Sequence, residues 1–254
     1  MEKATGGKNA HACPIGILML ETQFPRIPGD IGNANTWNFP VIYKVIKKAT
    51  PDRVVRRGAE GLLEAFISGA QQLEKEGAKA ITTSCGFLAL FQKELASSVN
   101  IPVFTSSLMQ VPLVHRMMKP SQKVGIITIH SQSLTERHLS AVGADHVPHV
   151  IYGTEGEEEF SRAILDDEIE LDVKKSRDEL VDVAKRMVSE CPDVGAVVLE
   201  CTNMPPYAAA IQKEIKLPIF DIYTLMMMVF HAVVRKEFVG DTRSFLQPQR
   251  FLSR

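Results

Sequence analysis

The chain has 254 residues, of which 45% are hydrophobic and 23% are charged, as in a globular protein with one or two domains. Its 29 basic and 30 acidic residues give a net charge of −1, which argues against a nucleic-acid partner. No apolar run reaches the roughly 18 residues that a membrane-spanning helix needs. The polar segment 1–14 lacks the apolar centre of a signal peptide. We therefore expect a flexible N-terminal arm, no membrane partner and a cytoplasmic location.

The cysteine content excludes two other classes of protein. The four cysteines are too few for a disulfide scaffold, and none of them form a C-x-x-C pair. We expect no structural metal site. The four are Cys13, Cys85, Cys191 and Cys201.

Short apolar runs alternate with amphipathic stretches in the first half of the chain. The predicted elements, in chain order, are a strand at Ile15–Leu20, a helix at 59–76 that Gly77 ends, a strand at Ala80–Thr83, a helix at 87–97 and a strand at Pro102–Phe104. Residues 22–57 are rich in proline, glycine and asparagine, which predicts a long irregular segment. Alternation of this kind is typical of a parallel sheet covered by helices.

The same order recurs in the second half. The predicted elements are strands at Val124–Ile129, Gly195–Leu199 and Leu217–Phe220, a helix at 176–189, an irregular segment at 143–161 and a buried C-terminal helix around Met226. Cys201 follows Cys85 by 116 residues, and Leu217-Pro-Ile-Phe follows Ile101-Pro-Val-Phe by the same 116. Two features with one offset indicate a duplicated unit.

Two of the cysteines occupy equivalent places in this repeat. Cys85 and Cys201 each follow a predicted strand and precede a predicted helix. Ligands of parallel α/β sheets bind at the carboxyl ends of the strands, and the N–H groups of a helix start favour a thiolate there. We therefore expect both thiols to have a lowered pKa. Across a cleft, one thiolate can remove a proton from a carbon and the other thiol can return one to the opposite face.

The two cysteine motifs resemble those of the aspartate/glutamate racemase superfamily, which includes glutamate, aspartate and hydantoin racemases. That family has an A-C-N-T type motif in its first half and G-C-T followed by His or Glu in its second. The motifs here read Ser84-Cys85-Gly86-Phe87, closer to the hydantoin racemase version, and Glu200-Cys201-Thr202-Asn203. The resemblance covers about residues 15–240.

Together with the repeat, the resemblance implies an α/β fold. Two similar three-layer lobes, with parallel four-stranded sheets, would be related by pseudo-two-fold symmetry around an active-site cleft. We expect lobe 1 to comprise 15–113 and 224–254, and lobe 2 to comprise 114–223. The resemblance further implies two-thiol catalysis without pyridoxal phosphate, metal or any other cofactor, and a homodimer.

The pocket residues do not specify a substrate. Asn203 stands where glutamate racemases have His and aspartate racemases have Glu, and Gly86 stands where their first motif has Asn. We expect Cys85 and Cys201 to be catalytic. We expect seven further residues to bind the substrate: Thr22, Ser84, Gly86, Phe87, Ser131, Thr202 and Asn203.

Several other residues are weaker candidates. Residues 29–33 are interpreted as a lid or as a plain surface loop. Arg56 and Arg57 have the chemistry to clamp a carboxylate, although arginines at a helix start are more often simply exposed. His130 is either an auxiliary acid-base group or a hydrogen-bonded loop residue. Trp37 and Phe39 are expected to pack the long loop against a lobe.

The prediction is an enzyme that racemises or epimerises an amino acid or a related small carboxylate by proton transfer between two cysteines. Alternatives stay open. One is a cis–trans isomerase of the maleate type, in which a thiolate attacks a double bond. Another is a malonate-type decarboxylase, although decarboxylases of this kind keep only one cysteine. The last is a binding protein without catalytic activity.

Overall fold

The computed structural model describes residues 13–237. The predicted arm at 1–14 therefore lies almost wholly outside the described residues, as does the end of the chain from 238 to 254. Within the described part, eight strands form two four-stranded parallel sheets. The strands are β1 (Ile15–Leu20), β2 (Val41–Ile46), β3 (Ala80–Thr83), β4 (Val103–Phe104), β5 (Lys123–Thr128), β6 (His149–Gly153), β7 (Val194–Leu199) and β8 (Ile219–Phe220).

The two sheets repeat one topology. The first has the strand order β2-β1-β3-β4 and the second has β6-β5-β7-β8, so each strand has a counterpart in the other sheet. This confirms the duplicated α/β architecture. The helices are α1 (Leu63–Glu76), α2 (Gln92–Ser98), α3 (Val111–Arg116), α4 (Glu136–Ala141), α5 (Phe160–Leu165), α6 (Val173–Glu190), α7 (Ala208–Ile215) and α8 (Ile222–Val233).

The two predicted irregular segments each contain an edge strand. Residues 22–57 include β2 and a π-helical turn at Asp52–Arg56, and residues 143–161 include β6. Both strands are mostly half-buried, because an edge strand has only one strand neighbour. Their side chains therefore lack the continuous apolar run that marks a central strand of a parallel sheet. The prediction of wholly irregular segments was wrong for this reason.

Helix boundaries also differ from the prediction. The first long helix begins at Leu63 rather than at 59, and it ends at Gly77, whose φ of +106° suits a left-handed cap. The predicted helix at 87–97 divides into a 3-10 segment at Gly86–Phe91 and α2. The predicted C-terminal helix is α8, but only one of its faces is buried, through Ile222, Leu225 and Met226.

That buried face of α8 packs on the first sheet. Ile15, Ile17 and Phe104 form an apolar cluster with the buried residues of α8. Trp37 joins it, with its ring centroid 5.9 Å from that of Phe39 and 5.8 Å from that of Tyr223. The long loop after β1 is thus anchored by aromatic packing, as expected. Across residues 13–237, we find no helix with the length and hydropathy needed to cross a membrane.

Gly16 of β1 and Gly125 of β5 occupy matching strands of the two sheets, but each lies against a different side chain. A Cβ on Gly16 of β1 would lie 3.1 Å from the Cβ of Leu73 and 2.9 Å from its Cδ1. A Cβ on Gly125 of β5 would lie 2.7 Å from Sδ and Cε of Met187, which are the flexible end of that side chain. We expect Gly16→Ala to lower the free energy of unfolding by about 1–3 kcal/mol and Gly125→Ala to cost less, because methionine adapts more readily. Urea unfolding of both variants measures the difference, and equal costs would contradict this reading.

Candidate active site

Both predicted catalytic cysteines lie at the carboxyl ends of central strands. Cys85 lies two residues beyond the end of β3, at the start of the 3-10 segment, and Cys201 lies two residues beyond the end of β7. They line one narrow cavity of about 20 Å³. Its other lining residues are Leu20, Phe24, Arg26, Pro51, Val55, Ser84, Gly86, Phe87, Ile129, Ile164, Leu165, Glu200, Thr202 and Asn203. The cavity thus joins residues from both halves of the repeat.

The two cysteine segments touch each other directly. The Thr202 hydroxyl donates a hydrogen bond of 2.6 Å to the carbonyl oxygen of Ser84. A Cβ on Gly86 would lie 2.2 Å from Oε1 of Glu200 and 2.4 Å from its carbonyl oxygen. Only a glycine fits this approach. The hydroxyl of Ser84 accepts a 2.9 Å hydrogen bond from the Leu20 N–H, which ties the first motif to β1.

Each thiol faces the amide N–H of the residue two positions later, Phe87 for Cys85 and Asn203 for Cys201. These contacts lower the thiol pKa, as a helix start was expected to do. Burial is the larger effect, however, and it raises the pKa of both thiols above the ordinary value. The charge of Glu200 raises both further. The predicted net lowering was wrong, because the sequence argument counted local dipoles and not the loss of solvent.

Glu200 is fully buried beside both thiols. Its Oε2 accepts a 2.7 Å hydrogen bond from the Thr128 hydroxyl, and its Oε1 has no hydrogen-bond partner within the described part of the chain. Burial raises the pKa of this carboxyl to about 7. An unpaired oxygen on a buried carboxyl costs stability, so this oxygen is available to a proton or to a bound group.

A loop after β1 contains two oppositely charged residues, Arg26 and Asp30, and Arg26 lines the cavity. Arg26 lies 3.0 Å from Oδ1 of Asp30, donates to the Thr22 hydroxyl at 2.8 Å, and stacks on the ring of Phe24 at 4.2 Å. The Arg26 charge lowers the pKa of Cys85. Arg26 is the one basic side chain among the described residues that line the cavity.

Asp30 reaches across to the second motif. Its Oδ2 accepts a 2.6 Å hydrogen bond from Nδ2 of Asn203. The thiol of Cys201 in turn donates to Oδ1 of Asn203 at 3.4 Å. The segment 29–33 therefore contacts the second cysteine motif through Asp30.

Five of the seven predicted substrate-binding residues line the cavity and two do not. Ser84, Gly86, Phe87, Thr202 and Asn203 lie on its wall. The Thr22 hydroxyl instead holds Arg26. The structure does not bring Ser131 to the cavity, since its N–H and hydroxyl both bind the carboxylate of Glu155.

The weaker candidates also lie outside the cavity lining. Arg56 pairs with Asp166 at 3.0 Å, and Arg57 pairs with Asp52 at 2.8 Å, both on the surface. The ring of His130 accepts a hydrogen bond from the Ser133 N–H, as a loop residue would. Within residues 13–237, no group of three or more His, Cys, Asp or Glu side chains is placed to hold a metal ion.

Sequence reasoning missed Arg26 and Glu200 as site residues, and it included Asp30 only as part of the candidate lid at residues 29–33. A charged residue inside a cysteine motif, as in Glu200-Cys201, was a usable signal, because the strand before it is buried. Arg26 gave no such signal, because the sequence does not show where an irregular loop places a side chain.

The comparison with known proteins agrees with this geometry. Residues 65–228 match the family of Asp/Glu/hydantoin racemases. The chain belongs to this family. In solved structures of similar fold, a mutant of arylmalonate decarboxylase in its sulfate-associated form has a TM-score of 0.58 at 15% identity, with 87% of this chain and 93% of that chain covered. The aspartate racemase of Picrophilus torridus has a TM-score of 0.54 at 14% identity, covering 87% and 94%. These likenesses show the shared racemase-family fold.

The relatives found by sequence comparison are named as lyases and not as racemases. The dimethylsulfoniopropionate lyase of Durusdinium sp. clade D is 29% identical over 221 residues, covering 84% of this chain and 72% of the relative. Dimethylsulfoniopropionate lyase 3 of Emiliania huxleyi (strain CCMP1516) is 28% identical over 230 residues, covering 83% of this chain and 57% of the relative. The match thus spans little more than half of the Emiliania protein. These relatives are named as lyases, whereas the matching family model is named for racemases.

The close approach at Gly86 predicts a severe effect of one methyl group. We expect Gly86→Ala to displace Glu200 or the segment around Cys85, because the new Cβ would overlap two oxygens of Glu200. The cost in unfolding free energy is about 1–3 kcal/mol, measured by urea unfolding. The matched control is Gly156→Ala, where a Cβ would meet no atom within 4 Å. Equal stability of the two variants would contradict the proposed contact.

The raised pKa of Glu200 predicts a pH dependence of stability. Its pKa is about 7 in the folded protein, above the ordinary value of 4.5, so the folded state binds the proton more tightly. This contribution to stability is therefore complete below pH 4.5 and is lost as the pH rises through 7, by on the order of 3 kcal/mol. Glu200→Gln should remove it. Urea unfolding of both proteins from pH 4.5 to 8 measures the difference, which should grow with pH and not stay constant.

Proposed function

We propose that this protein is a cofactor-independent lyase that removes a proton beside the carboxylate of a small sulfonium acid and expels a neutral sulfide. Dimethylsulfoniopropionate, named for the relatives, is the substrate to test first. The observation that carries the proposal is the content of the cavity. Two thiols share it with one basic side chain, Arg26, and one buried carboxyl with an unused oxygen, Glu200, between apolar walls.

The residues that line the cavity match the chemistry of a zwitterion with methyl groups. Arg26 is the group that attracts the carboxylate of the substrate, and Glu200 is the group that attracts the sulfonium. The methyl groups on sulfur pack against apolar side chains such as Phe24, Ile129 and Ile164. An aromatic face also attracts a desolvated cation. A free amino acid would place a strongly hydrated ammonium against the same apolar walls, which is less favourable.

The reaction requires only a base and a leaving group. A cysteine thiolate takes the proton from the carbon next to the carboxylate. The electron pair of that C–H bond forms the double bond to the next carbon, whose bond to sulfur breaks. Dimethyl sulfide leaves with the pair of that bond, acrylate remains, and the thiol later releases its proton to water. The positive sulfonium becomes a neutral sulfide, so no cofactor is needed to stabilise the leaving group.

A second candidate, racemisation, has its own supporting observation. The two thiols are placed equivalently, each two residues beyond a strand end and each facing the amide two positions later. Equivalent thiols suit a reaction in which one removes a proton and the other returns one to the opposite face. Both candidate reactions begin with removal of a proton from carbon. The structure therefore supports this proton removal more strongly than the step that follows it, which is loss of a sulfide in one candidate and return of a proton in the other.

The direct test is the headspace measurement of dimethyl sulfide from dimethylsulfoniopropionate, with acrylate followed by liquid chromatography in the same sample. We expect equal amounts of both products. Cys85→Ala and Cys201→Ala should each lower turnover by about 10²-fold or more, since acid-base groups typically contribute 10²–10⁴. Cys191→Ala is the matched control and should keep full activity, because Cys191 lies at the end of α6, outside the cavity lining.

Racemisation without sulfide formation is the outcome that would favour the second candidate. If no sulfide forms but pure enantiomers of aspartate, glutamate or a substituted hydantoin are racemised on chiral chromatography, the protein is a racemase. The lyase proposal is then wrong.

A further inference from the structure

The two thiols have equivalent places but unequal surroundings. Resting on the proposed function, in which one thiol acts as the base, we infer that Asp30 acts through Asn203 to hold the proton on Cys201. Cys85 is then the thiol that ionises and removes the substrate proton. Asp30 is a positioning residue, since it contacts Asn203 and not the reacting atoms.

The hydrogen bonds of Asp30 fix its orientation. The side chain is almost fully buried, and Oδ1 accepts from the Gly32 N–H at 2.7 Å and from Arg26 at 3.0 Å. Oδ2 accepts from Nδ2 of Asn203 at 2.6 Å. An ionised carboxylate only accepts hydrogen bonds, so the amide of Asn203 must turn its NH₂ group toward Asp30.

This orientation leaves the oxygen of Asn203 facing Cys201. The distance from Sγ to Oδ1 is 3.4 Å, with the thiol as donor. An amide oxygen has no proton to offer, so it accepts a hydrogen bond from S–H and repels a thiolate. The flipped amide would offer NH₂ to the sulfur instead, but it would then place its oxygen against the Asp30 carboxylate. Asp30 therefore selects the amide orientation that favours the protonated thiol.

The charges around the two sulfurs also favour a proton on Cys201 and an ionised Cys85. Cys85 faces the positive Arg26, whose charge lowers its pKa, and the carboxyl of Glu200, which raises it. Cys201 faces Glu200, Asp30 and Cys85, and each of these raises its pKa. Glu200 acts on both thiols, so it does not distinguish them. Arg26 and Asp30 distinguish the two thiols, and these two residues form an ion pair with each other in one loop.

Alkylation of the free protein with iodoacetamide over a range of pH tests this inference, because only thiolates react readily. Peptide mapping reads the four cysteines separately. In the unchanged protein we expect Cys85 to have the lower midpoint. Asp30→Asn should lower the midpoint of Cys201 by about one pH unit or more, a tenfold rise in its thiolate fraction at a given pH. It should also narrow the gap to Cys85. An unchanged gap would overturn the inference.

Asp167→Asn is the matched control. Asp167 closes the same loop, since its Oδ1 accepts from the N–H groups of Gln23 at 2.8 Å and Phe24 at 3.3 Å. Asp167 makes no hydrogen bond with Asn203. Loosening the loop through Asp167 should raise alkylation rates at every pH without moving either midpoint. A midpoint shift as large as that of Asp30→Asn would show that the loop's closure, and not the Asp30 carboxylate, sets the order.

A second variant guards against misfolding of Asp30→Asn. Asn203→Ala removes the oxygen that accepts from Cys201 and leaves Asp30 in place, and it should also lower the Cys201 midpoint. A rise or no change would contradict the assigned role. These measurements use no substrate, so their failure differs from a failure of the lyase assay. The proposed function can fail while Asp30 still orders the two thiols, and the reverse also holds.

Discussion

The contact between the two cysteine segments is the constraint on which the site depends. The Thr202 hydroxyl binds the Ser84 carbonyl, and Glu200 fills the space that any side chain at Gly86 would need. Both segments follow central strands of sheets with one topology. Pairing them brings the carboxyl ends of β3 and β7 together, which is where parallel sheets bind ligands. The thiols thereby share a cavity that neither half could form alone.

Burial makes it unfavourable to form a negative charge in this cavity. Loss of solvent raises the pKa of Cys85, Cys201 and Glu200, so the resting site disfavours negative charge. A thiolate in such a place is a stronger base than one in water, once a cationic neighbour or substrate stabilises it. Arg26 supplies a positive charge on the side of Cys85, and a sulfonium or ammonium substrate would bring another. The apolar walls thus raise the basicity of a thiolate, and the positive charges allow the thiolate to form.

Asymmetry enters through a loop and not through the duplicated sheets. Cys85 and β4 recur 116 residues later as Cys201 and β8, but Arg26 and Asp30 lie in the loop between β1 and β2. The corresponding segment after β5 contains α4 and places Ser131 on Glu155, outside the cavity lining. A symmetric framework therefore supplies equivalent thiols, and one loop makes their surroundings unequal.

Much of the fold and part of the site followed from the sequence. Central strands such as β1 and β7 were predictable because burial on both faces leaves a continuous apolar run. The edge strand β2 was not, since its half-exposed face breaks that run. The cysteines were predictable from equal spacing, but Arg26 and Asp30 reach the site through an irregular loop, and Arg56 and Arg57 do not. The thiol pKa was misjudged because a nearby amide is visible in a sequence and desolvation is not.

We propose that a cysteine thiolate of this site removes a proton from carbon. Proton NMR in D₂O, with catalytic amounts of the protein and separate samples of dimethylsulfoniopropionate, amino acids and hydantoins, tests it most directly. The account predicts that the vinyl signals of acrylate appear from dimethylsulfoniopropionate as its own signals fall. Loss of an α-proton signal in another compound would keep the proton-removal claim but change the substrate. If neither elimination nor exchange occurs in any compound, the claim is contradicted.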